Sequence, residues 1–209
     1  MNNKSIDINQ RIPLDTLYAA LESYLNGDYS NDYILEQLRL DFEGENRLKK
    51  ALRIVNKIIQ NNPLNHFITE HKSEINSAIK KKTDRDVIII SLLNSAFPFS
   101  FEVLKSFGRF FTVQEKINSE TIKKSISNTY GGNRATDNGL YSVVPMFIEA
   151  GFFSRQKPGT YVKNHSLNIS TIIAYDVYIN SFKFNNNIEY LLEFHKTDPY
   201  FLFIDNIIN

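Results

Sequence analysis

The sequence has no cysteine and no tryptophan, and only two methionines and eight glycines among its 209 residues. Without cysteine there can be no disulfide, no thiolate nucleophile and no zinc site built on cysteine. The longest apolar runs, such as VIII at 87–90, are far shorter than the roughly 18 residues that a membrane-spanning helix needs. The first residues, MNNKSIDINQRIP, contain no apolar core of the kind that signal peptides carry. These absences predict a cytoplasmic protein.

The sequence also lacks the short motifs that support most enzymatic chemistry. It contains no glycine-rich phosphate loop after a strand, no G-x-S-x-G turn and no helical H-E-x-x-H pair. His66 and His71 are five residues apart, whereas a spacing of four places two metal ligands on one helix face. We therefore expect no catalysis, no metal and no other cofactor.

Two acidic pairs are the remaining candidates for chemistry. Glu43/Glu45 and Asp84/Asp86 lie near predicted helix starts, where carboxylates stabilise a helix through its dipole. A metal-dependent nuclease would need Asp84 and Asp86 to act with a lysine from residues 80–82. This alternative rests on a single local turn.

Charge is balanced over the whole chain but not along it. The net charge is +1, and residues 1–100 carry 13 basic and 13 acidic side chains. Residues 101–165 carry nine basic and five acidic side chains, a net charge of +4. Residues 166–209 carry two basic and five acidic side chains, a net charge of −3. The middle segment thus carries the only basic excess in the sequence, for which a polyanionic partner and an ordinary solvated surface are alternative explanations.

Residues 1–98 read as a helical N-terminal domain, because their apolar residues recur at helical spacing. Gly27 and Gly44 are predicted to end the first two helices. The stretch DRDVIIISLLNSAF is apolar nearly all round and predicts a central buried helix. The next stretch, PFSFEVLKSFGRFF, spaces its apolar residues as a helix that faces the core.

Residues 99–165 show a helix, a short helix, a tight turn, a longer helix and a hairpin, in that order. Ser119 is predicted to cap the short helix, and Gly131-Gly132 to end it. The longer helix is apolar on one face and contains Pro145, which predicts a kink. Pro158-Gly159 between alternating residues predicts the hairpin turn. This order is typical of a winged helix-turn-helix, whose third helix lies in the DNA major groove.

Polar side chains of this segment supply the predicted DNA contacts. Arginine and asparagine can make paired hydrogen bonds to guanine and adenine edges, and lysine binds phosphates. The candidates on the longer helix are Asn133, Arg134, Thr136, Asn138 and Tyr141. The candidates on the short helix and around the hairpin tip are Lys123, Lys124, Arg155, Lys157 and Lys163. Asp137 and Glu149 are expected to lie near the DNA and to weaken its binding.

The C-terminal segment, residues 166–209, is acidic and aromatic. The stretch STIIAYDVYINSFKF predicts one helix, and a second helix and an extended tail are predicted after it. The apolar run at 200–204 is expected to be buried, either on the N-terminal helices or against a second subunit.

Several motifs of this chain also occur in small bacterial winged-helix proteins. They are AFPFSFEVLKSFGRFF, INSETIKKSISNTYGGNR, FIEAGFF, GTYV and the tail DPYFLFI. The chain thus resembles the BrxA family, the small DNA-binding components of BREX phage-defence systems, with recognisable motifs over residues 97–162. The resemblance implies a NusB-like helical N-terminal half and a YG-x-x-R turn whose arginine is Arg134. Gly139 and Pro145 depart from what a helix that enters the groove straight would carry.

The sequence therefore predicts a mainly α protein with three parts. These are an N-terminal helical bundle (1–98), a winged helix-turn-helix (99–165) and a C-terminal helical extension (166–209). The predicted function is non-catalytic binding of double-stranded DNA, mostly through phosphates. Other defence-system proteins are possible further partners, and no membrane is expected. The alternative is a protein–protein adaptor whose winged helix and aromatic tail dock a partner or form a homodimer.

Overall fold

A computed structural model describes residues 5–205 of the chain. Over this range the chain is mainly helical and contains a small antiparallel sheet, which confirms the predicted fold class in its coarse form. The α-helices are α1 (Leu14–Asn26), α2 (Asn31–Leu38), α3 (Glu45–Ile58), α4 (Asn65–Glu70), α5 (Lys72–Ala78), α6 (Lys82–Ala96), α7 (Pro98–Phe111), α8 (Ser119–Tyr130), α9 (Arg134–Glu149) and α10 (Ile172–Asn186). The strands are β1 (Lys116–Asn118), β2 (Phe153–Lys157) and β3 (Thr160–Lys163), and two 3₁₀ helices follow α10, Glu193–Thr197 and Pro199–Phe203.

Helix α6 is the centre of the core. Every residue from Val87 to Ala96 is buried, as its apolar character on all sides predicted. Helices α1, α3, α7 and α10 pack around it. The buried cluster continues from the N-terminal helices through α7 to α9 and into α10, so apolar residues of all three predicted parts share one core.

Of the two glycines that were predicted to end the first two helices, only Gly27 does so. Gly27 ends α1 in the left-handed conformation, with φ 90°, as expected. Gly44 does not end α2, which stops at Leu38, but precedes the first turn of α3. The intervening residues form a turn in which Leu40 is 81% exposed, so the apolar pattern does not extend the helix through it.

The segment after α7 runs β1, α8, α9, β2, β3. The strands pair antiparallel in the order β1-β3-β2, and a bulge separates Arg155 from Lys157. The predicted hairpin is confirmed, whereas β1 was not predicted. Asn118, not Ser119, caps α8, because its side-chain oxygen accepts from the Glu120 N–H at 2.9 Å.

The C-terminal segment differs from its prediction after α10. Asn187 ends α10 in the left-handed conformation, with φ 51°, and the predicted second α-helix is replaced by the two 3₁₀ helices. The apolar run is buried within its own chain, with Tyr200 at 0% and Phe203 at 3% exposure. Tyr178 Oη donates to the Tyr200 carbonyl at 2.5 Å, and their rings stack at 4.2 Å. The predicted tail continues into residues 206–209, which lie outside the described range.

Among residues 5–205, no single helix has the length and apolar character to cross a membrane. Helices α6 and α7 taken together have the required length and apolar character, but they meet at a bend of 120°.

Candidate nucleic-acid interface

The turn between α8 and α9 is held by the first residues of α9. Asn133 caps the helix, because its Oδ1 accepts from the backbone N–H groups of Ala135 at 2.9 Å and Thr136 at 3.2 Å. Thr136 is fully buried, and its Oγ1 donates to the Gly131 carbonyl at 2.5 Å. Thr136, a predicted DNA contact, is therefore not available at the surface, and the side-chain oxygen of Asn133 is occupied by capping.

Helices α8 and α9 are also joined by an ion pair. Lys123 Nζ lies 3.0 Å from Asp137 Oδ1. The hydrogen bond to Asp137 raises the pKa of Lys123, and the nearby Glu120 carboxylate adds to this. Lys123 was predicted to contact DNA phosphates, but its charge is compensated within the fold. The same contact accounts for Asp137, which lies beside Lys123 and not as an isolated negative charge.

Three predicted residues of α9 do face the solvent. Arg134 and Asn138 are exposed, and Tyr141 is 76% exposed. Their spacing of four and then three residues places them along one face of the helix. Tyr141 borders two depressions in the surface, one on each side of this face.

The first depression lies between α8, α9 and the hairpin and has a volume of about 110 Å³. It brings Lys123, Tyr141 and Arg155 together, although they are far apart in the sequence. Arg155 donates from its guanidinium to Tyr161 Oη at 3.3 Å and lies over the Tyr161 ring at 5.5 Å. The structure thus places these three candidate residues around one depression.

The second depression lies on the other side of α9 and was not predicted. Asn138 and Tyr141 line it together with Arg11 and Arg47 from the N-terminal half. Arg11 forms an ion pair of 2.6 Å with Glu149, which also accepts from the Leu14 N–H at 3.0 Å. Glu149 was expected to repel DNA, but it holds the start of α1 against α9. No local signal in the sequence connects residues so far apart.

The cations of the hairpin lie at different distances from its turn. Lys157 is exposed next to the turn at Gly159. Lys163 pairs with Phe153 at the opposite end of the hairpin, where it lines a depression with Glu115 and His165. The prediction that Lys163 flanks the tip is wrong, because the strand register places it about four residues, or roughly 13 Å, from the turn.

Most cations of this region have no carboxylate partner. Among residues 5–205, no ion pair involves the five side chains that we call the cationic set: Lys124, Arg134, Arg155, Lys157 and Lys163. Lys116 on β1 is a further exposed cation that was not predicted. Unpaired cations remain available to an anionic partner.

Gly139 and Pro145 are unusual residues for the interior of a helix such as α9. A Cβ at Gly139 would lie 2.6 Å from the Phe99 ring and 2.9 Å from Ile6, so glycine permits close packing of α9 on α7. Pro145 lies inside a helix that is continuous from Arg134 to Glu149. Its ring lines the first depression, beside Tyr141.

The acidic pair at Asp84 and Asp86 has structural partners. Asp84 is buried and accepts from the Ser170 N–H and Oγ, both at 2.8 Å. Asp86 forms ion pairs with Lys82 and Arg85. Across residues 5–205, no group of three or more histidine, aspartate or glutamate side chains is placed to hold a metal ion.

Comparison with other proteins adds no relative: no protein-family model, no curated protein and no solved structure matches the chain.

Proposed function

We propose that residues 98–163 form a winged helix that binds double-stranded DNA without catalysis. The order α7, β1, α8, α9, β2, β3 and the sheet order β1-β3-β2 are compatible with that architecture. In it, α9 would be the helix presented to the major groove and the hairpin would touch the backbone. The exposed face of Arg134, Asn138 and Tyr141 suits this position.

The observation that carries the proposal is the cationic set. Its five members lie on α8, on α9 and on the hairpin, and none has a carboxylate partner among the described residues. A cation paired within the fold, such as Lys123, must lose its partner before it can bind a phosphate. An unpaired cation releases bound counterions from DNA without that loss. Binding through phosphates, with weak preference for sequence, is therefore the expected mode.

The proposal is tested by fluorescence anisotropy with a labelled duplex of about 25 base pairs, at about 50 and 200 mM salt. We expect saturable binding that weakens steeply as salt rises. The double variant Lys124→Ala/Lys157→Ala should bind more weakly, and its plot of log K against log salt should be flatter by about 1.8, or 0.9 for each lost contact.

A matched control removes the same charge elsewhere. Arg53 on α3 and Lys72 on α5 are exposed and, among residues 5–205, have no ion-pair partner. The variant Arg53→Ala/Lys72→Ala should bind the duplex as the unchanged protein does. Equal losses in the two double variants would reduce the effect to net charge, and no binding at low salt would refute the proposal.

The wider role that we propose is an accessory one in a larger bacterial system such as phage defence, and its support is the motif resemblance alone. The alternative function, a protein–protein adaptor, has less support, because the aromatic tail that was expected to dock a partner is buried in its own chain. It keeps one observation: Tyr190, Leu192 and Phe194 are 69%, 53% and 65% exposed. Replacement of all three by serine would abolish self-association or partner binding if the adaptor function held, and light scattering would show the former.

A further inference from the structure

The first depression has the size of a small ligand site. Its volume of about 110 Å³ compares with the roughly 150 Å³ of an engineered apolar cavity that binds benzene. It lies between α8, α9 and the hairpin and is partly open to solvent. A single aromatic ring would therefore fill its enclosed part, and a small substituent would extend towards the open side.

The inner wall of this depression is apolar. Phe107 and Val144 are almost completely buried, and Leu140 and Pro145 are partly buried beside them. Aliphatic and proline side chains present flat apolar surface, against which a ring gains burial without needing a hydrogen bond. The wall is formed by three separate elements, since Phe107 belongs to α7, the other three to α9, and Tyr161 to β3.

The charges at the rim are arranged asymmetrically. Two carboxylates, Asp137 and Glu120, lie close to Lys123, and Asp137 binds it at 3.0 Å. Arg155 has no carboxylate partner among residues 5–205, and its guanidinium contacts the Tyr161 hydroxyl and ring. The guanidinium is thus the group at the rim that an anion can pair with, and it suits a planar carboxylate in particular.

Pro145 also removes one backbone hydrogen-bond donor from α9. The carbonyl group of Tyr141 would accept from the N–H of residue 145 in a regular helix, but residue 145 is proline and has none. Tyr141 and Pro145 both line the depression.

We propose that this depression binds a single-ring aromatic carboxylate, with the ring against Leu140, Val144 and Pro145 and the carboxylate on Arg155. Binding of the carboxylate does not depend on the proposed DNA binding, because it needs no duplex. Arg155 belongs to both, so a bound carboxylate would compete with phosphate for the same guanidinium.

The test is a titration of the full chain with benzoate, followed through the methyl NMR signals of leucine and valine at constant ionic strength. We expect saturable shifts at Leu140 and Val144, and none at Leu40, which is 81% exposed and outside the depression. The expected Kd is about 1 mM, since so small a ligand has few atoms with which to gain affinity.

Two comparisons isolate the guanidinium. Benzamide has nearly the same shape without the charge, and Arg155→Gln removes the cation at an exposed position. Each should weaken binding by about tenfold or more, as expected for loss of a charge-assisted hydrogen bond. Lys157→Gln removes the same charge from the same strand, outside the depression, and should leave the Kd unchanged.

Three results would overturn the proposal: no saturable shift with benzoate, equal affinity for benzamide, or full affinity in Arg155→Gln. Because no DNA is present, these failures are separate from failure of the duplex assay. A protein that binds benzoate but no duplex would keep the ligand site and lose the proposed function.

Discussion

Replacement of Gly108 by alanine tests the packing of the C-terminal segment on α7. Gly108 lies inside α7, where alanine is favoured over glycine by about 1 kcal/mol, so helix propensity alone predicts a more stable protein. The structure predicts the opposite. A Cβ at this position would lie 2.0 Å from the Pro199 carbonyl oxygen and 2.7 Å from its carbonyl carbon. Both are backbone atoms, so no side-chain rotation relieves the clash.

The cost follows from what has to move. Bringing the Cβ to 3.0 Å from the oxygen requires a shift of at least 1.0 Å in the 3₁₀ helix Pro199–Phe203 or in α7. Overpacking of this kind costs about 1 to 3 kcal/mol, and partial exposure of Tyr200 and Phe203 adds to it, since burial of each such side chain is worth about 1.5 to 3 kcal/mol. After the propensity gain of about 1 kcal/mol, we expect a net loss of about 3 kcal/mol.

Urea unfolding and thermal unfolding, both followed by circular dichroism, measure this change in the free energy of unfolding. A loss of about 3 kcal/mol should lower the Tm by roughly 6 to 12 °C in a protein of this size. The near-ultraviolet spectrum should also weaken, because Tyr200 stacks on Tyr178. Gly132→Ala is the control: a Cβ there meets nothing closer than 3.9 Å, so stability should change little. A Gly108→Ala protein as stable as the unchanged one would refute the proposed packing.

Three further changes test single contacts, each by the free energy of unfolding. Asn133→Ala should lose about 1 kcal/mol, because the cap of α9 disappears. Tyr200→Phe should cost about 1 to 3 kcal/mol, because the buried Asn94 amide, which donates to Tyr200 Oη at 3.2 Å, loses its acceptor. Burial raises the pKa of Asp176, and Glu74 raises it further while His71 lowers it. Its ionised form therefore destabilises the folded state, so Asp176→Asn should be more stable than the unchanged protein at pH 7. That advantage should shrink as the pH falls through the raised pKa and level off below about 3.9; an advantage that grew in acid would contradict the burial effect.

The correctly predicted elements have either a long apolar pattern or a turn with a characteristic sequence. Helix α6 is apolar on every side over ten buried residues, from Val87 to Ala96, and the Pro158-Gly159 turn lies between alternating strands. Strand β1 is only three residues long, with one buried side chain, Ile117, and shows no alternation that could be recognised. The second C-terminal helix was wrong because the buried rings of Tyr200 and Phe203 are placed by tertiary stacking, which no local pattern reports.

The arrangement of the candidate interface residues could be predicted only in part. Asn133 could have been identified as a cap, since asparagine just before a helix is a recognised start signal. The burial of Thr136 and the pairing of Lys123 with Asp137 depend on how α8 and α9 meet, and helical spacing alone does not give that angle. The contribution of Arg11 and Arg47 to the second depression is a long-range contact between the two halves of the chain.

Under the proposed function, the exposed polar side chains determine how strongly DNA binding depends on sequence and on salt. On α9, Arg134 and Asn138 are the exposed side chains that can pair with base edges, and each good pair discriminates by about 1 to 3 kcal/mol. The rest of the cationic set provides up to four phosphate contacts, which correspond to a salt slope of about −3.6. A fourfold rise in salt would then weaken binding by about 150-fold for every sequence alike. Two base contacts against four phosphate contacts make affinity largely independent of sequence, so the salt slope is a more sensitive test of this interface than a search for a preferred site.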